Sequence, residues 1–502
     1  MRLRWSYLLL VWLAMSPAAA LSQVASVAPA KPAAAKDEPE TVKLVLHPAP
    51  EPRPAMKYFL YPPLLERRPG NAAVLYGKVT AEQQQFFGNK ELWEKILKWV
   101  DMPLDKLPKP EMHKWLDAGS YFRFLDRAAR QESADWEVPI RDEEFITILL
   151  PDLAQMRNFG RLVAAKARLQ VADGDFGEAL HTLQTGYAMA RHVSEAPTLI
   201  HALVGMAVSN LMSKQVEALI QQPGAPNLYW ALTHLPQPLV DMRPGFEAEW
   251  SMLYLSYPEL RDLDKKDLSP EEWRKLLEKL VDRYAAWGLD RQLTPAGDKV
   301  ATIAMAIKAY PQAKRALLQR GYTPAAVEAM PVAKVILLDT MQTYNDLRDE
   351  VFKWLAVPWP QAQGRLADAD RPLHTREHQG AIPLAQVLLP AVGNAYRIQA
   401  RHDRAIAALR IVEAIRLYGA AHDSRLPEKL DDITAVPIPL DPMTGKPFVY
   451  RRTGEKAVLE SPGGKAYGMR YEITFARVGQ VGNLPHGHPG TRNQITLAPK
   501  GK

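Results

Sequence analysis

Residues 157–222 read RNFGRLVAAKARLQVADGDFGEALHTLQTGYAMARHVSEAPTLIHALVGMAVSNLMSKQVEALIQQ, and this stretch decides the fold. Its apolar residues recur at helical spacing, and the pattern is interrupted twice, at Gly174 and at Pro197. After Pro197, Gly205 and Ser209 lie four residues apart, which places two small side chains on one helix face. The stretch therefore predicts three consecutive helices, on which neighbouring segments of similar periodicity can stack.

Small, aliphatic and aromatic residues in this stretch follow the spacing of a tetratricopeptide-type helical hairpin. They are Ala167, Gly174, Phe176, Ala179, Leu183 and Gly186. Small residues of this kind lie where two helices cross closely, and the aromatic residue follows the turn. The stretch is therefore similar to a tetratricopeptide hairpin. It departs from that pattern at Lys166 and Gln170, which occupy the Trp, Leu or Tyr positions of the first helix, and no clear second copy follows.

Composition limits the chemistry that the chain can perform. The chain has 502 residues, of which 47% are apolar and 24% are charged, so it can bury a sizeable core in two or three units. It contains no cysteine, which excludes disulfides, thiolate metal sites, iron–sulfur clusters, a cysteine nucleophile and a lipoprotein anchor. Stability must therefore come from packing.

The N-terminus has the three parts of an export signal. Arg2 and Arg4 give a positive start, an apolar run follows (WSYLLLVWLAM), and three alanines precede Leu21. We predict a signal peptide over residues 1–20 and a periplasmic or extracellular location, with an uncleaved anchor as the alternative. After cleavage no transmembrane helix is predicted, because the most apolar remaining run, residues 199–212, is too short.

The rest of the chain divides by composition and periodicity. The predicted parts are an Ala/Pro-rich disordered tether over residues 21–56, a helical array over 57–357, a linker over 358–383, an α+β module over 384–478 and a flexible basic tail over 479–502. Helices of the array begin at clear signals, such as Ser269 and Glu272, which form a capping box around Pro270. This predicts a mainly α fold, an irregular α-solenoid or multi-helix array with a small C-terminal α+β module.

The last module begins with a long helix and ends in strands. Apolar periodicity predicts a helix over residues 384–422, and short strand-like runs separated by turns predict an antiparallel meander after it. Residues 439–450 read PLDPMTGKPFVY, and with them residues 405–475 resemble the soluble module of type II secretion pseudopilins. The resemblance implies a helix followed by a short sheet. Because most of the chain precedes this module, it does not imply a filament subunit.

The whole chain also resembles a family of exported, helix-rich bacterial proteins. The passages that carry this resemblance are ALVGM at residues 202–206 and QQPGAPNLYWAL at residues 221–232. The resemblance implies export and a helix-rich architecture, and it brings no catalytic residue with it.

One motif points to catalysis. The sequence HTREH has the H-x-x-E-H pattern of inverted zincins, in which two histidines on one helical face bind zinc and the glutamate activates water. His374 and His378 are the candidate zinc ligands, and Glu377 is the candidate catalytic base. Glu455 or Glu460 is the nominal third ligand.

The surroundings of this motif favour a linker. Pro372 and Gly380 leave barely two helical turns, and the apolar residues expected after the second histidine are missing. We therefore keep a zinc-dependent hydrolase that uses His374, Glu377 and His378 as the alternative hypothesis.

The remaining signals are weaker. His181, His192 and His201 lie on the central helices without metal-ligand spacing, so we predict core or surface residues. From Lys446 to the end there are ten Lys/Arg and three Glu, a charge of +7. The two interpretations of this charge are contact with an anionic surface and basic side chains on solvated strand edges. No P-loop, dinucleotide fingerprint, G-x-S-x-G or nucleic-acid-binding motif is present.

Two functions follow from these observations. The first is an exported, non-catalytic helical scaffold or binding protein of the bacterial cell envelope. It would bind a protein or envelope component on the helical array, without a cofactor and without nucleic acid. The second is the zinc-dependent hydrolase.

Overall fold

A computed structural model describes residues 39, 41–82, 84–117, 120–141, 145, 148–286, 299–374, 380, 382–462 and 468–476. The predicted signal peptide, the first part of the predicted tether and the basic tail lie outside these ranges. Within them the protein is mainly helical with a small C-terminal sheet, which confirms the predicted fold class.

The helices and strands are numbered in chain order. The helices are α1 (Ala72–Glu82), α2 (Gln84–Phe87), α3 (Lys90–Trp99), α4 (Lys109–Leu116), α5 (Tyr121–Ala129), α6 (Asp152–Asp173), α7 (Phe176–Ser194), α8 (Leu199–Leu219), α9 (Tyr229–Thr233), α10 (Arg243–Ser256), α11 (Pro270–Ala286), α12 (Lys299–Gln319), α13 (Pro324–Ala329), α14 (Val332–Phe352), α15 (Trp359–Asp370), α16 (Leu384–Leu388) and α17 (Pro390–Ala421). The strands are β1 (Thr41–Leu46), β2 (Arg68–Asn71), β3 (Gln131–Ser133), β4 (Val449–Thr453), β5 (Lys456–Ser461) and β6 (Met469–Phe475).

Helices α6, α7 and α8 are the three helices predicted between residues 157 and 222. Gly174 ends α6 in the left-handed conformation, with φ of 78°, and the Asp175 side chain caps α7 by accepting a hydrogen bond from a first-turn N–H. Gly205 lies where α8 crosses α7, and a Cβ there would be 2.5 Å from the Ala190 carbonyl oxygen. The small residue therefore permits the close crossing that the sequence predicts.

The predicted tether is wrong from Thr41 onwards. The segment TVKLVL forms β1 and pairs in parallel with β6, with Thr41 opposite Arg470. Leu44 and Leu46 on its inner side are fully buried. The alternation of these apolar residues is a strand signal, but the Ala/Pro-rich surroundings hide it, and the pairing strand lies at the other end of the chain.

The predicted linker over residues 358–383 is wrong in its first half, where α15 lies. Ala362, Leu366 and Ala369 are buried on one face of this helix. Pro360 lies in its first turn, where backbone N–H groups have no acceptor within the helix, so the missing N–H of proline costs no helical hydrogen bond. The proline, glycine and alanine content is typical of a linker, whereas the spacing of the buried residues is typical of a helix.

The C-terminal sheet has the strand order β1-β6-β5-β4. Strands β4, β5 and β6 are antiparallel, as predicted, and β1 adds a parallel edge. Leu459 and Ile473 are buried on its inner face. On the outer face Glu460 forms ion pairs with Arg451 and Arg470, so part of the basic charge of this region is neutralised across neighbouring strands.

Two large hydrophobic cores organise the described chain. The first joins the N-terminal helices and α6 to α8 with α17 and the sheet. The second lies among α10 to α16. The boundary predicted at residue 384 therefore does not separate two cores, because α16 belongs to the second core while α17 and the sheet share the first core with the central helices.

A buried ion pair ties three parts of the chain together. The Arg416 guanidinium on α17 donates two hydrogen bonds to Glu413, at 2.8 and 3.0 Å, and both side chains are 0% exposed. It also donates to the carbonyl oxygens of His47 at 2.9 Å, Ala225 at 2.8 Å and Pro226 at 3.1 Å. The pair thus links α17 with the segment after β1 and with the loop between α8 and α9.

We expect Arg416→Met to lower the free energy of unfolding by about 3–5 kcal/mol, because it leaves the Glu413 carboxylate and three backbone carbonyls buried without this donor. Amide exchange in β1 should accelerate more than in α6, since the strand loses its anchor at His47. Denaturant titration and hydrogen exchange measure the two effects. Adding Glu413→Leu should recover part of the loss, because it removes the unpaired carboxylate but leaves the carbonyls without this donor. A double variant no more stable than Arg416→Met would contradict this account.

Candidate functional site

The zinc motif lies at the edge of the described chain. His374 ends a short 3₁₀ helix after α15, whereas Glu377 and His378 lie outside the described residues. Of the two nominal third ligands, Glu455 lies in the turn between β4 and β5, and Glu460 is held in ion pairs on the sheet. Among the residues with described positions, no three His, Asp or Glu side chains are grouped for metal binding. The zinc site stays a prediction.

The histidines of the central helices are structural, as the sequence predicts. His181 is half-exposed and lies against a surface carboxylate. His192 is fully buried, and because the Gln131 carbonyl oxygen can only accept, Nε2–H donates to it at 3.0 Å while Nδ1 accepts from the Tyr76 hydroxyl at 3.1 Å. Burial lowers the pKa of His192 and of His201 to about 4, so both are neutral at pH 7.

A serine, a histidine and an aspartate meet where α8 crosses α17. Ser209 Oγ lies 2.6 Å from His402 Nε2, and His402 Nδ1 lies 3.4 Å from Asp403 Oδ1. The order of groups is that of a hydrolase triad. Ser209 is 0% exposed and His402 is 3% exposed, however, so no substrate carbonyl can reach the serine. These groups stabilise the helix crossing.

A cavity of about 460 Å³ lies between α10 and α14. The segment after α10, which contains the 3₁₀ helices Pro258–Leu260 and Leu263–Lys265, encloses one side. Three elements line it, with the residues Trp250, Ser251, Tyr254, Leu260, Arg261, Asp262, Leu263, Asp264, Leu338, Met341, Gln342 and Asn345. The volume falls in the range of about 300–1,000 Å³ that is typical of small-molecule sites.

Helical spacing brings the side chains of the two helices to this cavity. Met341, Gln342 and Asn345 lie within about one turn of α14 and share a face. Trp250 and Tyr254 lie four residues apart on α10 and share the facing side. The two helices therefore contribute aromatic rings, a serine hydroxyl, apolar side chains and two carboxamides, and the segment after α10 adds one arginine and two aspartates.

Beside the cavity, aromatic rings surround a buried arginine. The Arg348 guanidinium carbon lies 4.3 Å from the centre of the Trp250 ring, and 5.6 and 5.7 Å from the rings of Tyr254 and Tyr344. Arg348 Nε and Trp250 Nε1 both donate to Asp349 Oδ1, at 2.9 and 2.8 Å. Trp250 and Tyr254 thus belong both to the cavity wall and to this aromatic cage.

Three buried polar atoms of α14 have no hydrogen-bond partner among the described residues. They are Gln342 Oε1, the Tyr344 hydroxyl and Arg348 Nη1. The Gln342 side chain is fixed in orientation, because its Nε2 donates to the Tyr322 hydroxyl at 2.8 Å. Buried polar atoms in proteins nearly always have a partner. Of the three residues, Gln342 is the one that lines the cavity, so its carboxamide is the group beside which a bound molecule can supply a donor.

Two carboxyl groups near this region have pKa values shifted in opposite directions. Burial raises the pKa of Glu249, on α10, to about 7. Burial also raises the pKa of the Tyr344 hydroxyl, with a smaller contribution from Glu249. At the cavity rim the hydrogen bond from Lys265 lowers the pKa of Asp262, so this carboxylate stays ionised at neutral pH.

Sequence reasoning missed this cavity. One signal was present: Gln342, Asn345 and Arg348 recur every three residues on a helix whose other face is apolar, which predicts a polar stripe. That stripe does not show which element lies against it. Because α10 is far from α14 in sequence, no local pattern predicts that the two helices enclose a cavity.

We expect Tyr344→Phe to raise the free energy of unfolding by about 1 kcal/mol, since it removes a buried hydroxyl without a partner in the described part of the chain. Tyr187→Phe is the matched control. The Tyr187 hydroxyl lies 3.0 Å from Ser213 Oγ, so its removal should lower the free energy of unfolding by about 1 kcal/mol. Urea denaturation measures both changes, and a loss of stability in Tyr344→Phe would contradict the first expectation.

The free energy of unfolding should fall as pH drops from 6.5 towards 4, because the unfolded chain protonates His192 near pH 6.5 and the folded chain only near 4. This loss amounts to about 3 kcal/mol for His192, at about 1.4 kcal/mol for each pKa unit. His192→Gln should therefore show a shallower decline than the wild type in urea titrations across this range. Equal slopes in the wild type and in His192→Gln would refute the assignment.

No protein-family model matches the chain, and neither a curated protein nor a solved structure is found to match it. The likenesses to tetratricopeptide hairpins, to pseudopilins and to exported helix-rich proteins therefore stay predictions. Among the helices that the structure describes, none combines the length and the apolar character needed to cross a membrane.

Proposed function

We propose that this protein is an exported, non-catalytic helical binding protein of the bacterial cell envelope, which holds an envelope component in the α10–α14 cavity. The observation that supports this proposal is the cavity itself, about 460 Å³ in volume and lined by aromatic, apolar, carboxamide and charged side chains. Gln342 Oε1 is buried there without a partner among the described residues. Binding sites combine apolar walls with a few placed polar groups in this way.

The groups on the cavity wall favour binding over catalysis. Ser251 provides an aliphatic hydroxyl, but the lining contains no histidine or lysine that could remove its proton. Asp262 is a weak base at neutral pH because its pKa is lowered. Glu249, the carboxyl group with a pKa near 7, is not among the lining residues. The wall thus offers hydrogen bonds and apolar contact without an activated nucleophile.

The frame around the cavity supports a binding role as well. Helices α10 and α14 both contribute buried residues to the second core, including Leu253 and Ile336. A site carried by packed helices keeps its shape in the absence of ligand, which lowers the entropic cost of binding. The envelope location is inferred from the N-terminal export pattern that ends before Leu21.

An envelope fraction that contains the ligand should stabilise the mature protein, and Trp250→Ala should abolish this effect. Thermal unfolding with fractionated envelope extract measures it, since a ligand at 100 times its Kd adds about 2.7 kcal/mol to the free energy of unfolding. Trp230→Ala is the matched control. The Trp230 indole donates to Glu51 at 2.7 Å, much as that of Trp250 donates to Asp349 at 2.8 Å, but it lies on α9.

Stabilisation of the wild type and of Trp230→Ala, without stabilisation of Trp250→Ala, would support binding in the cavity. Equal stabilisation of all three proteins would place binding elsewhere and contradict the proposed site. The absence of any stabilising fraction would contradict the proposed function.

A further inference from the structure

We infer that the α10–α14 cavity binds a neutral sugar unit, an inference that rests on the binding function proposed above. Ligands that suit a mixed aromatic and polar cavity fall into three classes: cations, anions and neutral polyhydroxyl compounds. The charges and the unpaired acceptor around this cavity discriminate among them.

Cations are disfavoured because arginines already face the aromatic rings. The Arg348 guanidinium lies 4.3 Å from the centre of the Trp250 ring, and that of Arg261 lies 5.8 Å from the centre of the Tyr254 ring. Arg261 also lines the cavity. A cationic ligand stacked on these rings would be repelled by the like charge of the arginines, whereas a neutral ligand would not.

Anions are disfavoured by the acceptors on the wall. The carboxylates of Asp262 and Asp264 line the cavity, and Arg261 is the only cation among the lining residues. The oxygen of Gln342 is an acceptor that needs a donor, which an anion does not supply. Arg348 is not among the lining residues, and its charge is paired with the Asp349 carboxylate at 2.9 Å, so it adds little attraction for an anion in the cavity.

A sugar ring can contact both the aromatic and the polar side chains of the cavity wall. The C–H groups on one face of a pyranose are apolar and pack on an exposed indole such as Trp250, which is 41% exposed. Each hydroxyl both donates and accepts, so one hydroxyl can donate to Gln342 Oε1. Asn345 Oδ1 already accepts from the Tyr254 hydroxyl at 2.8 Å, which leaves the Asn345 amide N–H groups to donate to a neighbouring hydroxyl.

The loop opposite α14 places a further acceptor at the rim. Asp262 adopts a left-handed backbone conformation with φ of 48°, and its carbonyl oxygen accepts a hydrogen bond from Lys265 N at 3.0 Å. The Lys265 ammonium also donates to the Asp262 carboxylate at 2.9 Å. This turn holds the carboxylate where its remaining lone pairs can accept from sugar hydroxyls.

Isothermal titration of the mature protein with matched trisaccharides tests the inference. The neutral probes are maltotriose and N,N′,N″-triacetylchitotriose. Chitotriose has the skeleton of the latter with free amines and supplies the cationic comparison, and trigalacturonate supplies the anionic one. We expect at least one neutral trimer to bind saturably, and both charged trimers to bind at least about tenfold more weakly, because of the like charges described above.

Two substitutions should weaken the neutral trimer at least about tenfold, each by removing one of its contacts. They are Trp250→Ala, which removes the stacking face, and Gln342→Leu, which removes the unpaired acceptor. Trp230→Ala should leave the affinity unchanged, and the unfolding midpoints of all variants confirm that they fold. Unchanged affinity in both cavity variants would overturn the inference.

Two further outcomes would overturn the inference. The first is a charged trimer that binds as tightly as the neutral ones. The second is the failure of every trimer to bind while an envelope fraction still stabilises the wild type through Trp250, and in this case the proposed binding function stands. If no envelope fraction stabilises the protein either, the inference and the proposed function fail together.

Discussion

The buried pair of Arg416 and Glu413 is the interaction on which the rest of this structure depends. Removing two charges from water is costly, and a pair of this kind persists only when nearly all of its hydrogen-bonding capacity is used. Here the guanidinium donates from Nε, Nη1 and Nη2 to the Glu413 carboxylate and to three backbone carbonyls. The Asn227 amide in the α8–α9 loop also donates to the Glu413 backbone carbonyl at 2.9 Å. The requirement for these partners fixes the N-terminal segment and the α8–α9 loop against α17.

The candidate binding site belongs to the other core. The cavity between α10 and α14 lies where the polar stripe of α14 faces α10, and Trp250 both lines it and contacts the buried Arg348. A polar stripe on an otherwise buried helix is destabilising unless something satisfies it. This division places the fully buried ion pair in one core and the three unpaired polar atoms of α14 in the other, so the first maintains the fold while the second can receive a ligand.

Features set by neighbouring residues were predictable from the sequence. The breaks at Gly174 and Pro197 delimit the three central helices, and the Ser269 and Glu272 side chains form the predicted capping box before α11. Features set by distant residues were not predictable. The contact of Ser209 with His402, the pairing of β1 with β6 and the packing of α10 on α14 each join segments whose local patterns carry no information about each other.

The pairing of β1 with β6 also orders events during synthesis. A chain emerges from the ribosome N-terminus first, so β1 exists long before the strand that hydrogen-bonds to it. Until then Leu44 and Leu46 have no sheet in which to be buried. Joining the two ends of a long chain is slow compared with local helix formation. Among the described strands β1 is made first and stays without its partner until β6 emerges, so a chain cut short before Met469 leaves it unpaired.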